Sequence, residues 1–311
     1  MNAQSNRGSG RRWFGAAALL VLTIVLVALL QPAARTAAQG PESTVLLISA
    51  PVSGRVGGVA FAPGDILLHR MGTDEWEMFF DASDIGITRN VTAFAYGYGG
   101  VLYLALSGSQ PIPGLGIIWP QDVIAFYPDT LGPVTSGTLW PTRLRALKKE
   151  IGLQSSGEAI DAIGDGTDGG GGFDYTLSTK ENFSLRYWDD WGSTFTCAGR
   201  DEDVLFYWLD DEGGTRSVCG LILDGSAVPG LAREDIVGLS KFVDDGSTRT
   251  FYIVIGDSFR VAGIAGGPDD ILAVQKNADG TFQVSKVWDG RADGFPYALD
   301  GIDILYPIYA P

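Results

Sequence analysis

The sequence predicts an all-β protein built from four copies of one four-stranded unit. Three observations indicate this organisation: a short acidic and aliphatic phrase recurs, further strand-like runs follow its copies in a constant order, and the last copy lacks one strand that the N-terminal region supplies. The phrase, Asp-Ile-Leu or a close variant, begins at Asp65, Asp122, Asp203 and Asp270. Such self-similarity along a chain is typical of repeat architectures.

The runs between the phrases have the composition of strands and turns. Each is four to eight residues long, rich in Val, Ile, Leu, Tyr and Phe, and bounded by Gly, Asp, Asn or Pro. Alternating runs are VLYLALS from Val101, FDYTLST from Phe173 and FYIVIGD from Phe251. Another element recurs as Val91–Phe94, Ile160–Ile163, Ile236–Leu239 and Ile302–Leu305. Many runs are continuously aliphatic, so we expect strands that are covered on both faces.

Four antiparallel strands buried between neighbouring copies describe the blade of a β-propeller. Counting the phrases predicts four blades. The last copy ends near Tyr306 with no room for a fourth strand, whereas Thr44–Ile48 provides such a strand directly before the first phrase. We therefore expect the N-terminal strand to complete the final blade and close the ring, which leaves no unpaired edge. A β-sandwich, or a pair of them, is the alternative fold.

The first 38 residues have the layout of a secretory signal. Arg11 and Arg12 precede the uncharged run Trp13–Leu30, and the small residues Thr36 and Ala38 suit a cleavage site after Ala38. The apolar run is long for a signal, so an uncleaved membrane anchor over residues 13–30 is the alternative. In both cases residues 39–311 form one propeller domain that is secreted or otherwise extracytoplasmic.

The charge of the chain limits its partners. Loss of four N-terminal arginines leaves 18 basic residues against 37 acidic ones after residue 38. Such a negative protein repels nucleic acid phosphates and anionic lipid, so we expect no nucleic acid partner and no membrane contact beyond an uncleaved N-terminal segment. Divalent cations and neutral partners such as glycans remain compatible with this charge.

The repeats resemble tandem repeats found in secreted bacterial proteins of undefined function. In that pattern Asp-Ile-Leu is followed by an aromatic strand, Asp-Gly-Ser, a strand containing Ile-Asp-Ala and an Asp-Gly hairpin. The matching segments are Asp81–Gly86, Ile160–Ala162, Asp224–Ser226 and Asp244–Gly246. The resemblance covers essentially all of residues 39–311 and implies an exported, propeller-like protein, but it brings across no catalytic residue.

Two sets of aspartates are candidate calcium ligands. If the repeated phrases begin the innermost strands, four carboxylates ring one end of the channel and supply the oxygen donors that Ca²⁺ prefers. In the alternative, each aspartate accepts hydrogen bonds from its own turn, because repeated residues usually serve the repeated geometry. The members of this set are Asp65, Asp122, Asp203 and Asp270.

The second set surrounds the Gly-rich segment GDGTDGGGGFD, Gly164–Asp174. Its four carboxylates would wrap a Ca²⁺ ion, although their spacing does not match an EF-hand loop. The alternative is an enlarged hairpin loop. The members of this set are Asp161, Asp165, Asp168 and Asp174.

An aromatic segment and a cysteine pair complete the candidate sites. Tyr187, Trp188 and Trp191 lie in the long connection between the second and third repeats, where exposed rings would form a platform for a sugar; packing between blades is the alternative. Cys197 and Cys219 are the only cysteines, which outside the cytoplasm predicts one disulfide, with two unpaired thiols as the alternative.

No nucleophile elbow, Walker loop or dinucleotide fingerprint occurs in the chain. The sequence therefore favours a non-enzymatic, exported propeller that binds a protein, a glycan or another ligand, with Ca²⁺ as a stabilising ion. Two alternatives stay open: an extracellular glycan-active hydrolase that uses a pair of Asp or Glu residues, and a structural component of the cell envelope.

Overall fold

A computed structural model describes residues 44–142, 145, 152–153, 155–165, 172–188, 193–210, 217–244 and 247–305. Pro41–Pro311 group as one unit, and Met1–Gly40 as another. The predicted signal or anchor lies outside the described residues, so both it and the domain boundary after residue 38 stay predictions. Within the described part of the chain, no helix has the length and apolar character needed to cross a membrane.

Four antiparallel sheets of four strands each confirm the predicted all-β, four-bladed propeller. Strands are numbered along the chain, and the blades are given from the innermost strand outward. Blade 1 consists of β24 (Gly301–Leu305), β1 (Val45–Ser49), β4 (Ile66–Arg70) and β5 (Trp76–Phe80). Blade 2 consists of β6 (Val91–Tyr96), β7 (Leu102–Leu106), β10 (Ile124–Thr130) and β11 (Ser136–Pro141). Blade 3 consists of β12 (Ile160–Asp165), β13 (Gly172–Thr179), β16 (Val204–Asp210) and β17 (Ser217–Leu223). Blade 4 consists of β18 (Ile236–Asp244), β19 (Thr248–Ile255), β22 (Asp270–Asn277) and β23 (Phe282–Asp289).

The ring closes as predicted, through the N-terminal strand. β1 pairs with β24 from Val45↔Leu305 to Ser49↔Gly301, and its other edge pairs with β4. One blade thus joins three strands from the beginning of the described chain to one strand from its end. Because β1 has a partner on each side, the closing blade leaves no edge of that strand unpaired.

The strands that follow the repeated aspartates are third from the centre, so the prediction that they are innermost is wrong. β6, β12, β18 and β24 pack against one another around the centre, while β4, β10, β16 and β22 lie two strands further out. The sequence repeat begins halfway through a blade. Each phrase and the run after it form the outer half of one blade, and the next two elements form the inner half of the following blade.

Aliphatic residues on both faces of each sheet build the core between the blades. In β1, Leu47 faces the cluster between blades 1 and 2, whereas Leu46 and Ile48 face the cluster between blades 1 and 4. All three are fully buried. The continuous aliphatic runs in the sequence therefore reflect strands that are covered on both sides, as expected.

A two-stranded ribbon occupies the connection between the second and third strands of every blade. The ribbons are β2 (Gly54–Val56) with β3 (Val59–Phe61), β8 (Gln110–Ile112) with β9 (Gly116–Ile118), β14 (Phe183–Trp188) with β15 (Thr194–Gly199), and β20 (Phe259–Val261) with β21 (Ile264–Gly266). The ribbon of blade 3 has the longest strands, and together with the long connection between β11 and β12 it contributes to the wide spacing between the second and third phrases.

Candidate functional site

One face of the ring carries the four ribbons, and we call it the ribbon face. Neighbouring strands in each blade are antiparallel, so the beginning of the first strand, the end of the second and the beginning of the third lie on the same face. Backbone hydrogen bonds link blades here: Ile160 N–H donates to the Pro120 carbonyl at 3.1 Å, and Ile236 N–H donates to the Asp201 carbonyl at 3.1 Å. The innermost strands thus begin at the mouth of the channel on the ribbon face.

The repeated aspartates lie on this face and bind the turns of their own blades. One oxygen of each accepts a hydrogen bond from the backbone N–H three residues earlier, at 2.8 Å for Asp65 and Asp122 and at 2.9 Å for Asp203 and Asp270. The described residues contain no group of three side chains placed to hold a metal ion. The structure therefore distributes the four carboxylates over four separate turns, where they fix the start of each third strand.

Each repeated aspartate also contacts a second group in or near its own blade. Asp65 and Asp203 accept a further backbone hydrogen bond, from Ala82 at 3.1 Å and Gly225 at 2.9 Å respectively. Asp270 pairs with the Lys286 ammonium at 2.7 Å, and Asp122 pairs with the Arg145 guanidinium at 3.2 Å. These contacts connect the turn before the third strand to the fourth strand or to the segment after it, which is an architectural role.

Two members of the second predicted set of calcium ligands lie at opposite ends of one strand, β12. Asp161 is the second residue of β12 and Asp165 is its last, so four extended residues, about 13 Å, separate them along the strand. The side chains of Asp165 and Asp174 and the whole of Asp168 lie outside what the structure describes. Asp161 therefore lies at the ribbon face, at the opposite end of β12 from Asp165, so these two do not share an ion, while a site formed by Asp165, Asp168 and Asp174 stays a prediction.

The segment of the predicted aromatic platform belongs to a connection within blade 3 and not to a connection between two blades. β14 belongs to the ribbon that connects β13 to β16 of one sheet, which corrects the predicted location. Tyr187 and Trp188 are half-buried against the cluster between blades 2 and 3, and the Tyr187 ring stacks on Phe195 at a centroid distance of 5.2 Å. Trp191 lies outside the described residues. The two described rings thus pack against the core between blades 2 and 3, and a sugar platform at these residues stays a prediction.

The cysteines join this ribbon to the outer edge of its own blade. A disulfide connects Cys197 in β15 to Cys219 in β17, with 6.1 Å between the Cα atoms. Both residues belong to the hydrophobic cluster between blades 2 and 3. The bond holds the longest ribbon against the blade from which it projects.

The hydrogen bonds between blades also establish which residues are equivalent. Leu299 N–H donates to the Pro268 carbonyl at 2.9 Å, as Ile160 and Ile236 do to the corresponding carbonyls of the preceding blades. The fourth copy of the innermost element therefore begins at Leu299, three residues before the match at Ile302 that the sequence indicated. The sequence pattern did not reveal this equivalence, because the hydrogen bond that establishes it joins two different blades.

Three acids meet at the junction of blades 3 and 4, and two of them depart from the repeat. Two residues before the repeated aspartate, the first, second and fourth copies have proline, whereas the third copy has Asp201. The second residue of the innermost element is Thr92, Asp161, Val237 or Asp300, and the residue before that element is Asn90, Ala159, Asp235 or Ala298. We call Asp161, Asp201 and Asp235 the seam cluster. Asp201 and Asp235 have no acidic counterpart and Asp161 has one, Asp300, so the repeated fold does not require acids at all three positions.

The carboxylate of Asp161 is buried without a hydrogen-bond partner. The residue is 8% exposed, and neither of its carboxylate oxygens has a hydrogen-bond partner among the described residues. Burial raises the pKa of Asp161 well above its usual range, and the nearby charge of Asp235 raises it further, while Lys180 opposes the shift. A buried carboxylate that accepts no hydrogen bond is costly, because it loses its hydration without compensation.

Asp235 shares this environment. Its Oδ1 atom is buried and likewise lacks a partner within the described part of the chain. Burial, assisted by the charge of Asp201, raises the pKa of Asp235 to about 7, against the opposing effect of Lys180. Lys180 is exposed, so it compensates the buried acids only in part. The seam cluster thus concentrates negative charge where solvent does little to screen it.

Asp300 provides a comparison at the equivalent position of blade 1. There the Asn90 side-chain amide of blade 2 donates a hydrogen bond to Asp300 Oδ2. Burial raises the pKa of Asp300 to about 6, and the hydrogen bond from Asn90 opposes this shift. The same position in the repeat therefore holds a hydrogen-bonded acid in blade 1 and an acid without such a partner in blade 3.

Comparison with known proteins does not assign the chain to a family. No protein-family model and no curated protein matches the chain. Among solved structures, a Lactobacillus plantarum protein from a structural genomics consortium aligns over 85% of this chain and all of its own, at 10% identity and a TM-score of 0.34. YCF48 bound to a D1 peptide aligns over 88% of this chain and 98% of its own, at 9% identity and a TM-score of 0.28.

Proposed function

We propose that the protein is an exported binding module that takes its partner, a protein or a glycan, on the ribbon face. The observation that carries this proposal is the seam cluster: Asp201 and Asp235 are acids where the other three copies have none, and both act on Asp161, whose buried carboxylate has no hydrogen-bond partner among the described residues. Residues that perturb one another's pKa without serving the fold concentrate at functional sites. A fold-wide role is better assigned to Asp65 and its repeats, which bind their own turns.

Charge restricts the class of partner. The chain has a formal net charge of −15, and the seam cluster adds local negative potential at the mouth of the channel. Anionic partners are therefore disfavoured, and neutral or cationic surfaces are favoured. Neutral glycans and basic segments of a protein both meet this condition.

Export is the second part of the proposal. It is supported by the Arg11-Arg12 pair and the apolar run Trp13–Leu30. The Cys197–Cys219 disulfide also supports it, because such bonds persist mainly outside the cytoplasm. N-terminal sequencing of the protein from a fractionated host culture tests this part. We expect the mature chain to begin at Gln39; a chain retained whole in the cytoplasm would overturn the export proposal.

Arrays of neutral glycans and of basic peptides test the binding function. We expect the wild-type protein to bind one of the two probe sets, and a variant with Asp161→Asn, Asp201→Asn and Asp235→Asn to lose that binding. The matched control is Asp74→Asn, which removes an exposed acid from the β4–β5 turn on the opposite face. Binding that the triple variant retains in full would contradict the assignment to the ribbon face, as would no binding to either array. A reducing-sugar assay on the same samples detects turnover, which would contradict a binding-only role.

A further inference from the structure

We propose that Asp161 and Asp235 bind a hard divalent cation, with calcium as the ion expected outside the cytoplasm. The site lies where β12 of blade 3 meets β18 of blade 4, at the mouth of the channel. The inference rests on the proposed export, since the identity of the ion follows from the compartment. It does not require that the array ligands be found.

The donor atoms indicate a cation of this class. Three buried carboxylate oxygens, both of Asp161 and Oδ1 of Asp235, have no hydrogen-bond partner among the described residues. Carboxylate oxygens without donors are suited to hard cations such as Ca²⁺, which takes six to eight oxygen ligands. These three atoms are each almost inaccessible to solvent. A compact ion therefore fits these three atoms, while the half-buried Asp201 keeps part of its surface open to a partner on the ribbon face.

The balance of charge also favours a divalent ion. When ionised, the three acids of the seam cluster carry three negative charges, and Lys180 is the cation that acts on both Asp161 and Asp235. Glu202, next to Asp201 and 3.6 Å from the Arg200 guanidinium, is a further acid at this junction, so an excess of negative charge remains that a divalent cation would reduce. Asp257 also acts on Asp235, but it is exposed to solvent, and water screens its contribution.

The ligand set is incomplete without water. No three metal-binding side chains converge anywhere in the described ranges, so Asp161 and Asp235 supply two carboxylates and water supplies other ligands. Asp201 approaches from the loop before β16, but its backbone carbonyl already accepts hydrogen bonds from Ile236 N–H and the Ser178 hydroxyl. A site with so few protein ligands has modest affinity, and we expect a dissociation constant of about 0.1–1 mM, as in extracellular calcium modules.

Asp300 explains why the site belongs to one junction only. It occupies the position equivalent to Asp161, yet Asn90 donates a hydrogen bond to its carboxylate. No second acid acts on the pKa of Asp300, whereas Asp235 and Asp201 both act on Asp161. The two positions therefore differ in the features that a cation requires, and Asp300→Asn is a control at the equivalent position of another blade.

Thermal unfolding with added calcium tests the proposal directly. Metal-free protein is melted at neutral pH with increasing calcium, against sodium chloride of matched ionic strength. For the wild type we expect Tm to rise by about 3–8 °C at about 10 mM calcium. Asp161→Asn and Asp235→Asn should abolish the rise, while Asp300→Asn and Asp74→Asn should retain it. Isothermal calorimetry with calcium alone should give heat with the wild type and none with Asp161→Asn.

Each outcome of this experiment decides the proposal. A wild-type Tm that does not respond to calcium, without calorimetric heat, overturns it, and so does an equal rise in Asp161→Asn, which would indicate general screening of an acidic protein. Asparagine removes a buried charge, so both test variants should fold in EDTA with a Tm at or above that of the wild type. Array binding measured in EDTA separates the two proposals, because ligand binding without any calcium response leaves the proposed function standing alone.

Discussion

Replacing Asp235 with asparagine should remove a penalty that grows as the pH rises. The pKa of Asp235 is raised from 3.8 to about 7, roughly three units, and each unit corresponds to about 1.4 kcal/mol. The charged form would thus cost about 4 kcal/mol in the folded protein. Asp235 is only partly buried, and solvent screening reduces the figure to about 2–3 kcal/mol. Asparagine has a similar shape and no charge to bury.

The sign of the effect follows from the direction of the shift. The folded state binds the Asp235 proton more tightly than the unfolded state does, so its contribution to stability is greatest below about pH 4 and is lost as the pH rises through about 7. Urea unfolding of the EDTA-treated protein at pH 5 and pH 8 measures this loss. We expect the free energy of unfolding of the wild type to fall by about 2 kcal/mol more than that of Asp235→Asn over this interval.

Asp300, with a pKa of about 6, titrates in the same interval in both proteins, so the variant should still lose some stability. The difference between the two proteins isolates Asp235 together with its effects on Asp161. Equal losses in the two proteins would refute the reasoning, because they would show that the charge at position 235 is well solvated in the folded state.

Three further perturbations test the architecture. Asp203→Ala leaves two backbone N–H donors without their carboxylate and should cost about 2–4 kcal/mol in chemical denaturation, with a smaller loss for Asp203→Asn. Reduction of the Cys197–Cys219 disulfide, which spans 22 residues, should lower the free energy of unfolding by about 3 kcal/mol. Gly230→Ala should destabilise more than Gly263→Ala in thermal melts: both glycines have positive φ, but a Cβ at Gly230 would lie 2.3 Å from a backbone oxygen and one at Gly263 would meet nothing within 4 Å. Equal losses for the two glycine variants would contradict the steric argument.

The sequence contained enough information for the blades and their closure, because both follow from local patterns. Continuous aliphatic runs mark strands covered on both sides, and the missing strand of the last copy is visible at Thr44–Ile48. The sequence did not reveal at which strand of the repeat a blade begins. In a repeated meander every starting point gives the same order of elements, so Asp65 and Asp270 looked like the beginnings of innermost strands although they precede third strands.

The seam cluster could not be assembled from the sequence for a different reason. Asp161 is the second residue of β12, Asp201 lies between β15 and β16, and Asp235 directly precedes β18. Only the packing of blade 3 against blade 4 brings these three residues together. The hydrogen bond from Ile236 to Asp201 fixes their register. A usable signal did exist: Asp201 stands where the other three copies have proline.

That departure also provides a test that separates the repeated fold from the proposed site. Asp201→Pro restores the residue of the other copies, namely Pro63, Pro120 and Pro268. The carbonyl that accepts the Ile236 N–H belongs to the backbone and is kept, as it is at Pro120 and Pro268. We therefore expect the variant to fold and, since Asp201 no longer raises the pKa of Asp235, to lose less stability than the wild type between pH 5 and pH 8. Loss of folding would mean that Asp201 serves the blade after all. A folded variant with stronger calcium-induced stabilisation would mean that Asp201 hinders the ion, whereas a weaker response would identify its carboxylate as a third ligand.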